Sequence, residues 1–390
     1  MSVSYWNDQS KGQNLSVDIA VIGGGIAGLS CAYWLQKEDP NLRIAIIEKY
    51  EIGAGATGRN AGFITCGSVE HFNRLVGKHG QAEAHEIWRF SERNLELLQQ
   101  EIIQDKGADF LYEQKGSFSL ASTETEFNEL KESTNIMRGM KIKVEELGQK
   151  DIETRLGAAK FVGGIKYCDD ASVHPMLLLR GIRKKLGPNV FLLEQHEVHD
   201  IQSNGGNKLV RTNRSSVEAS MVVLATNGYT PLLHNYFSTK VFPTRAQILA
   251  TEPVPRFMEG PCYANFVLDY FRQLPTGEMI IGGFRQLQKD AEKGYSDETS
   301  DVIQTALEKF LYEHIPAVRN AKITHRWSGI MGFSVDGQPL VGSLPEDPQI
   351  LFSCGFTGHG LGLAFHSAKV LTDCIFGRNI PNFISAKRFT

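Results

Sequence analysis

Three glycines, Gly23, Gly25 and Gly28, stand directly after an apolar run in VDIAVIGGGIAGLSCAYWL, and the next apolar run, LRIAIIE, ends on an acid, Glu48, twenty residues after Gly28. No other feature restricts the fold of this chain as much. The first glycine permits a tight turn, the second lets the backbone approach a pyrophosphate, and the third lets a helix lie close against a strand. The helix that follows then offers its N-terminal N–H groups and positive dipole end to the phosphates. Glu48, followed by Lys49, is placed to accept hydrogen bonds from ribose hydroxyls. The expectation is a βαβ unit that binds a dinucleotide at the start of the chain.

At 390 residues the chain exceeds one ordinary core, because domains cluster near about 150 residues. Lys and Arg total 41 against 44 Asp and Glu, a formal charge of −3 with no run of five like charges. That balance argues against nucleic-acid partners and anionic lipid surfaces. There is no run of 18 apolar residues, and MSVSYWNDQSKGQN lacks the hydrophobic segment of a secretion signal. A cytoplasmic protein with no integral membrane association is expected. The six cysteines, Cys31, Cys66, Cys168, Cys262, Cys354 and Cys374, form no CxxC and no clustered His/Cys spacing, so no metal site and no disulfide framework is expected.

A second nominal GxGxxG, at Gly53, Gly55 and Gly58, follows in EIGAGATGRNAGFIT. No apolar strand runs into it and no acid closes a later strand, so it reads as an extended loop of small residues lying against a flat ligand. Helical spacing of apolar residues predicts helices over 80–104, 124–137 and 300–311, and MLLLRGIRKKL predicts another. MVVLA suits a central parallel strand, whereas 241–285 has the alternating, turn-rich pattern of an antiparallel sheet. The chain ends as it begins, with a strand (QILFSCGF), a glycine loop (TGHGLG) and a helix (LAFHSAKVLTDCIFG).

Four separate glycine-bearing motifs, GGGIAG, GATGRNAG, ATNGYT and GFTGHGLG, need one explanation. A nicotinamide cofactor needs mainly the first; an extended flavin dinucleotide also needs backbone from elsewhere in the chain to hold its ring. On these motifs nearly the whole chain resembles the FAD-dependent oxidoreductases of the D-amino-acid oxidase, glycine oxidase and sarcosine oxidase family, and GATGRNAGF resembles the γ-glutamylputrescine oxidoreductase branch. The resemblance implies FAD as cofactor. It assigns Gly23, Gly25, Ile26, Ala27 and Gly28 to the pyrophosphate, and Glu48 and Lys49 to the adenosine end. Gly55, Ala56, Thr57, Arg59, Asn60, Ala61 and Gly62 match the loop running toward the flavin ring, and Val198 matches a position whose backbone meets the adenine. Ala225, Thr226 and Gly228 match the stretch under the cofactor, and Gly355, Thr357, Gly358, His359, Gly360 and Leu361 the loop facing the pyrimidine side of the flavin.

The implied fold is α/β: a discontinuous Rossmann-type FAD-binding domain (1–85, 160–235 and 325–390) and an α+β substrate-binding domain on an antiparallel sheet (86–159 and 236–324). The implied activity is oxidation of the C–N bond of an amine or modified amino acid by hydride transfer to flavin N5 and hydrolysis of the imine, with oxygen or another electron acceptor as partner. A nicotinamide-dependent dehydrogenase and a non-catalytic flavin-binding protein are the alternatives. Two departures bear on substrate. Met331 stands where glycine oxidase-like members carry a carboxylate-binding arginine, and Gly362 where sarcosine oxidases carry a lysine. Candidate catalytic or anchoring residues are therefore His359, Arg272 and Arg285, and the cysteine that carries flavin in sarcosine oxidases is absent near Gly329. Cys66, just after the GRNAGFIT loop, is the alternative point of flavin attachment, while Trp88, Trp327 and His174 read as packing residues.

Overall fold

The opening strand, Leu15–Ile22, is apolar throughout Ile19 to Ile22 and buried on both faces, which is what a central parallel strand requires. In the computed structural model, which describes residues 15–389 apart from 68, 266 and 267, it pairs in parallel with Ile44–Ile47 on one side and Ser216–Leu224 on the other. The N-terminal stretch MSVSYWNDQSKGQN, expected to carry no secretion signal, lies outside the described residues. The array extends in parallel to Val190–Leu193 at one side and to Ile350–Cys354 at the other, where Leu340–Ser343 closes it antiparallel. A hairpin, Val198–Asn204 and Asn207–Thr212, adds antiparallel to Ser216–Leu224.

Residue alternation puts every second side chain of this sheet on one face. Ala20, Ile22, Ala45 and Ile47 share one cluster with Val222, Leu224, Phe237 and Phe352. The glycine-flanked helices Ile26–Glu38 and Gly360–Ile375 pack on each other: the Trp34 indole N–H donates to the Phe365 carbonyl at 3.0 Å, and the Trp34 and Phe365 rings lie 5.1 Å apart.

The described chain forms two compact units. The first comprises the described residues of Met1–Gly58, Leu178–Thr244 and Met331–Thr390, and the second Arg59–Leu177 and Arg245–Ile330. The second unit holds a mixed sheet whose strand order includes Met279–Gly283, Asp269–Gln273, Cys262–Ala264, Ser117–Ala121, Gly163–Tyr167 and Val144–Gly148. Helix Asp301–His314, capped by Ser300, buries Ile303, Leu307 and Leu311 against Phe118, Phe271 and Ile281 of this sheet. Elsewhere in the unit Ala61, Ile248, Ala250 and Ile280 form a smaller cluster with Phe63, Tyr270 and Trp327.

The unit boundaries differ from those expected. Residues 59–85 and 160–177 belong to the second unit because Phe63–Ile64 pairs with Ala171–Ser172 and Gly163–Tyr167 pairs with Ser117–Ala121. Residues 236–244 belong to the first, where Phe237 and Val241 fill its core. The 325–330 segment falls in the second unit as part of strand Ile323–Ser334. The helix expected over 80–104 is instead Val69–Leu98, interrupted at Gly80 (φ 79°) and followed by a π-turn at Gln99–Ile103. Its apolar face extends upstream through the buried Phe72 and Leu75, past the glycine that marked the predicted start.

One ionic contact inside the second unit is almost wholly buried. Arg245 donates to Glu292 through Nε at 3.0 Å and Nη2 at 2.7 Å, Gln247 adds a third bond at 2.8 Å, and Glu292 is 1% exposed. Removing one member of such a pair leaves a buried charge uncompensated, which costs about 3–5 kcal/mol. Arg245→Met is therefore expected to lower the stability of the second unit by about that amount in urea unfolding, and Arg245→Met combined with Glu292→Leu by much less.

Candidate functional site

The dinucleotide fingerprint folds as a cradle in which side chains are excluded by contact. Gly23 has φ 110°, and a Cβ on Gly28 would lie 1.9 Å from the Gly23 carbonyl oxygen, so the helix sits directly on the turn. Gly25 is the helix N-cap and has no side chain to cap with. Thr57, from the second glycine loop, replaces it: its hydroxyl accepts the Ile26 N–H at 2.9 Å. The Gly55–Ala56–Thr57 stretch is thus bound to the helix start, as a short turn at Ala56–Gly58.

Glu48 closes its strand half-buried, with Oε2 accepting the Gly24 N–H at 2.7 Å and Oε1 the Tyr50 N–H at 2.9 Å. Each carboxylate oxygen has a further lone-pair direction for a ribose hydroxyl. Lys49 is exposed and pairs with Glu197 at 2.9 Å, which raises its pKa. Val198 opens the hairpin strand opposite Thr212. Ala225 donates its N–H to the Ile22 carbonyl at 2.8 Å, and its own carbonyl oxygen would lie 2.6 Å from a Cβ on Gly23. These residues fit a dinucleotide: a bare turn, a helix N-terminus and an oriented acid converge within the first unit.

The C-terminal glycine loop folds within the same unit. Gly355, Thr357 and Gly358 all have positive φ (72°, 50° and 84°), and helix Gly360–Ile375 starts immediately beyond, with Leu361 buried in its first turn. His359 is the N-cap residue, and its Nδ1 lies 2.9 Å from the Thr357 carbonyl, which makes Nδ1 the proton-bearing nitrogen. Gly362 N–H donates to the His359 carbonyl at 3.0 Å. The Met331 sulfur would lie 3.6 Å from a Cβ on Gly358, and the Met331 carbonyl packs on Gly228. Asn227, not singled out by the sequence beside its neighbours Ala225, Thr226 and Gly228, accepts two backbone N–H groups of this loop. Its only sequence signal is the Asn-Gly pair after a strand.

In the second unit, the Arg59 side chain lies along strand Ile323–Ser334: Nη1 donates to the Ser328 carbonyl at 2.9 Å, while Trp327 donates its indole N–H to the Arg59 carbonyl at 2.9 Å. Asn60 accepts the Gly62 N–H at 2.7 Å. Arg272 does not stand open to a substrate carboxylate, contrary to expectation. It is 1% exposed, and its Nη1 donates to the carbonyls of Gly62 (2.8 Å), Val173 (3.2 Å) and Ala61 (3.4 Å). Burial pulls its pKa down to about 10, and Nε and Nη2 have no hydrogen-bond partner among the described residues. Its guanidinium is a clamp on the Ala61–Gly62 backbone. Arg285 is half-buried beside Tyr270 and the buried Asp269, and desolvation lowers its pKa.

Cys66 is buried, its thiol donating to the Trp88 carbonyl at 3.8 Å, and burial holds the thiol far above its ordinary pKa, which suppresses nucleophilic attack. Trp88 is 1% exposed, and His174 accepts the Leu177 N–H at 3.4 Å at the start of helix Pro175–Lys184. Among the described residues no group of three or more His, Cys, Asp or Glu is placed to hold a metal, and no helix is long and apolar enough to cross a membrane.

Comparison with known proteins agrees with this geometry. The chain is 26% identical over 379 residues to the probable oxidoreductase OrdL of Haemophilus influenzae, covering 92% of this chain and 83% of that one. It is 23% identical over 378 residues to the γ-glutamylputrescine oxidoreductase of Escherichia coli, covering 94% and 85%. Its fold matches the crystal structure of glycine oxidase from Geobacillus kaustophilus with a TM-score of 0.79 at 21% identity, over 94% of this chain and 96% of that one. The model of the FAD dependent oxidoreductase (DAO) family matches residues 18–374. With nearly its whole length covered by that match, the chain belongs to the FAD dependent oxidoreductase family and is an FAD-dependent enzyme of α/β fold.

Proposed function

We propose that the enzyme oxidises the C–N bond of an amine or modified amino acid. The observation that carries this reading is the presence, in one unit, of both the dinucleotide cradle around Gly23, Gly28 and Glu48 and the backbone loop from Gly355 to Leu361. A nicotinamide cofactor uses the first and leaves the second without a ligand. The names of the relatives, which act on glycine or on γ-glutamylputrescine, support amines and amino acids as the substrate class.

When bound, FAD would supply the two-electron oxidation, acting as acceptor for the hydride lost from the carbon that bears a neutral amine. Loss of that hydride leaves an iminium ion, which gives up its proton to water as the imine; water then adds across the C=N bond and yields a carbonyl compound and the free amine or ammonia. The residues of the chain need only position and polarise. Glu48 would hold the ribose, the helix start at Ile26 the pyrophosphate, and Val198 and the Ala225–Gly228 backbone the adenosine end of the cofactor. His359 braces its loop by donating to Thr357, and the N-terminus of helix Gly360–Ile375 favours negative charge that develops at the pyrimidine side of the ring on reduction.

Substrate choice follows from missing cations. Met331 and Gly362 carry no charge, and Arg272 is engaged with backbone. Arg285, next to Tyr270 and Asp269, is then the cation assigned to a carboxylate far from the reacting carbon. A bidentate arginine–carboxylate contact contributes roughly 1.5–3 kcal/mol, so glycine, sarcosine and D-alanine are expected to be about ten- to a hundredfold less efficient than longer amines or γ-glutamyl amines. Anaerobic flavin bleaching across such a panel measures this, and glycine, sarcosine or D-alanine emerging as the best substrate defeats the assignment. Reoxidation of the bleached enzyme by oxygen, or its failure, identifies the acceptor class.

Glu48→Ala removes charge-assisted hydrogen bonds worth roughly 1.5–3 kcal/mol. It is expected to weaken FAD binding by about one to two orders of magnitude in an apoprotein titration, with much less change in turnover at saturating FAD. Unchanged affinity means the ribose is held elsewhere.

A further inference from the structure

Asn227 stands at the end of strand Ser216–Leu224 and its connection, with φ 46°, a left-handed conformation that Asn tolerates better than most residues. Its Oδ1 accepts the N–H of Gly355 at 3.0 Å and of Phe356 at 3.3 Å, the first two amides after strand Ile350–Cys354. The Thr230 hydroxyl donates to the Asn227 carbonyl at 2.8 Å and fixes the other end of the residue. Gly332 has no room for a side chain here: a Cβ would lie 2.5 Å from Asn227 Oδ1 and 2.7 Å from the Gly228 nitrogen. The Gly332 carbonyl in turn accepts the Thr357 N–H at 2.8 Å. Asn227 and Gly332 thus hold three consecutive amides, those of Gly355, Phe356 and Thr357, just before the loop turns into helix Gly360–Ile375.

We propose that Asn227 is a positioning residue for flavin reduction: by holding the Gly355 and Phe356 amides it sets the direction in which the N-terminus of the C-terminal helix faces the flavin. This rests on the reading above that the Gly355–Leu361 loop lies against the pyrimidine side of the ring. A helix N-terminus stabilises negative charge only over its first turn, so a small rotation of the loop removes its effect on the reduced flavin. Hydrogen bonds of this kind are each worth about a factor of ten when the acceptor is lost.

The test uses the holoenzyme. Asn227→Gly deletes the acceptor and keeps the left-handed backbone without strain. It is expected to shift the flavin midpoint potential to more negative values and slow anaerobic reduction by substrate about tenfold, with KM changed less than about threefold. Gly332→Ala, which pushes the Asn227 amide from the opposite side, is expected to give the same signature and carries the test if Asn227→Gly does not fold. A variant that only lowers the melting temperature, with potential and reduction rate as in the parent, overturns the proposal. Gly358→Ala, which strains the loop without touching Asn227, separates the two claims. If it shifts the potential and Asn227→Gly does not, the positioning role fails alone; if none of the three variants shifts it, the loop does not face the flavin and the reading beneath the proposal fails as well.

Discussion

A Cβ on Gly28 would lie 1.9 Å from the Gly23 carbonyl oxygen, and the rest of the cradle depends on this close contact between helix and turn. Because nothing larger than hydrogen fits there, the helix axis starts directly over the turn, its first amides stay near the end of the central strand, and the adjacent Ala225 backbone closes against Gly23 from the neighbouring strand. Parallel order makes this possible: Leu15–Ile22, Ile44–Ile47 and Ser216–Leu224 all end on the same side, so three strand ends converge at the bare turn. The glycine N-cap lacks a capping oxygen, and Thr57 supplies one to the Ile26 amide thirty-one positions away.

Polar groups elsewhere show how backbone is fixed when no secondary structure does it. Asn227 satisfies amides at the end of a strand, Arg272 satisfies carbonyls at Ala61, Gly62 and Val173, and both are single side chains holding loops together. Arg272 does so as a buried cation with two nitrogens left unpaired among the described residues, an expensive arrangement that marks the GRNAG backbone as one whose position matters. The charged partner of Glu292 in the same unit, Arg245, is by contrast fully matched.

Local chemistry makes the opening strand, turn, helix and acid readable from the residues themselves, since each is specified by neighbours in sequence: an apolar run, glycines at fixed offsets and an acid at the end of the next strand. The C-terminal strand, glycine loop and helix are readable for the same reason, and so is the resemblance on which FAD rests. What lies beyond the sequence are contacts between distant segments. The role of Arg272 depends on which carbonyls the fold carries to it from 210 positions away, and so it reads as a substrate anchor when it is a clamp. Asn227 escapes notice because an Asn-Gly pair signals a turn, while the first of its two partners lies 128 residues further on. The boundary between units moves because Phe63–Ile64 is too short to read as a strand until Ala171–Ser172 pairs with it. Sequence alone determined a strand, a bare turn, a helix and an acid at the start of this chain; only the tertiary structure decided which polar side chains hold the surrounding loops, because a hydrogen bond is set by where two segments meet and not by what either contains.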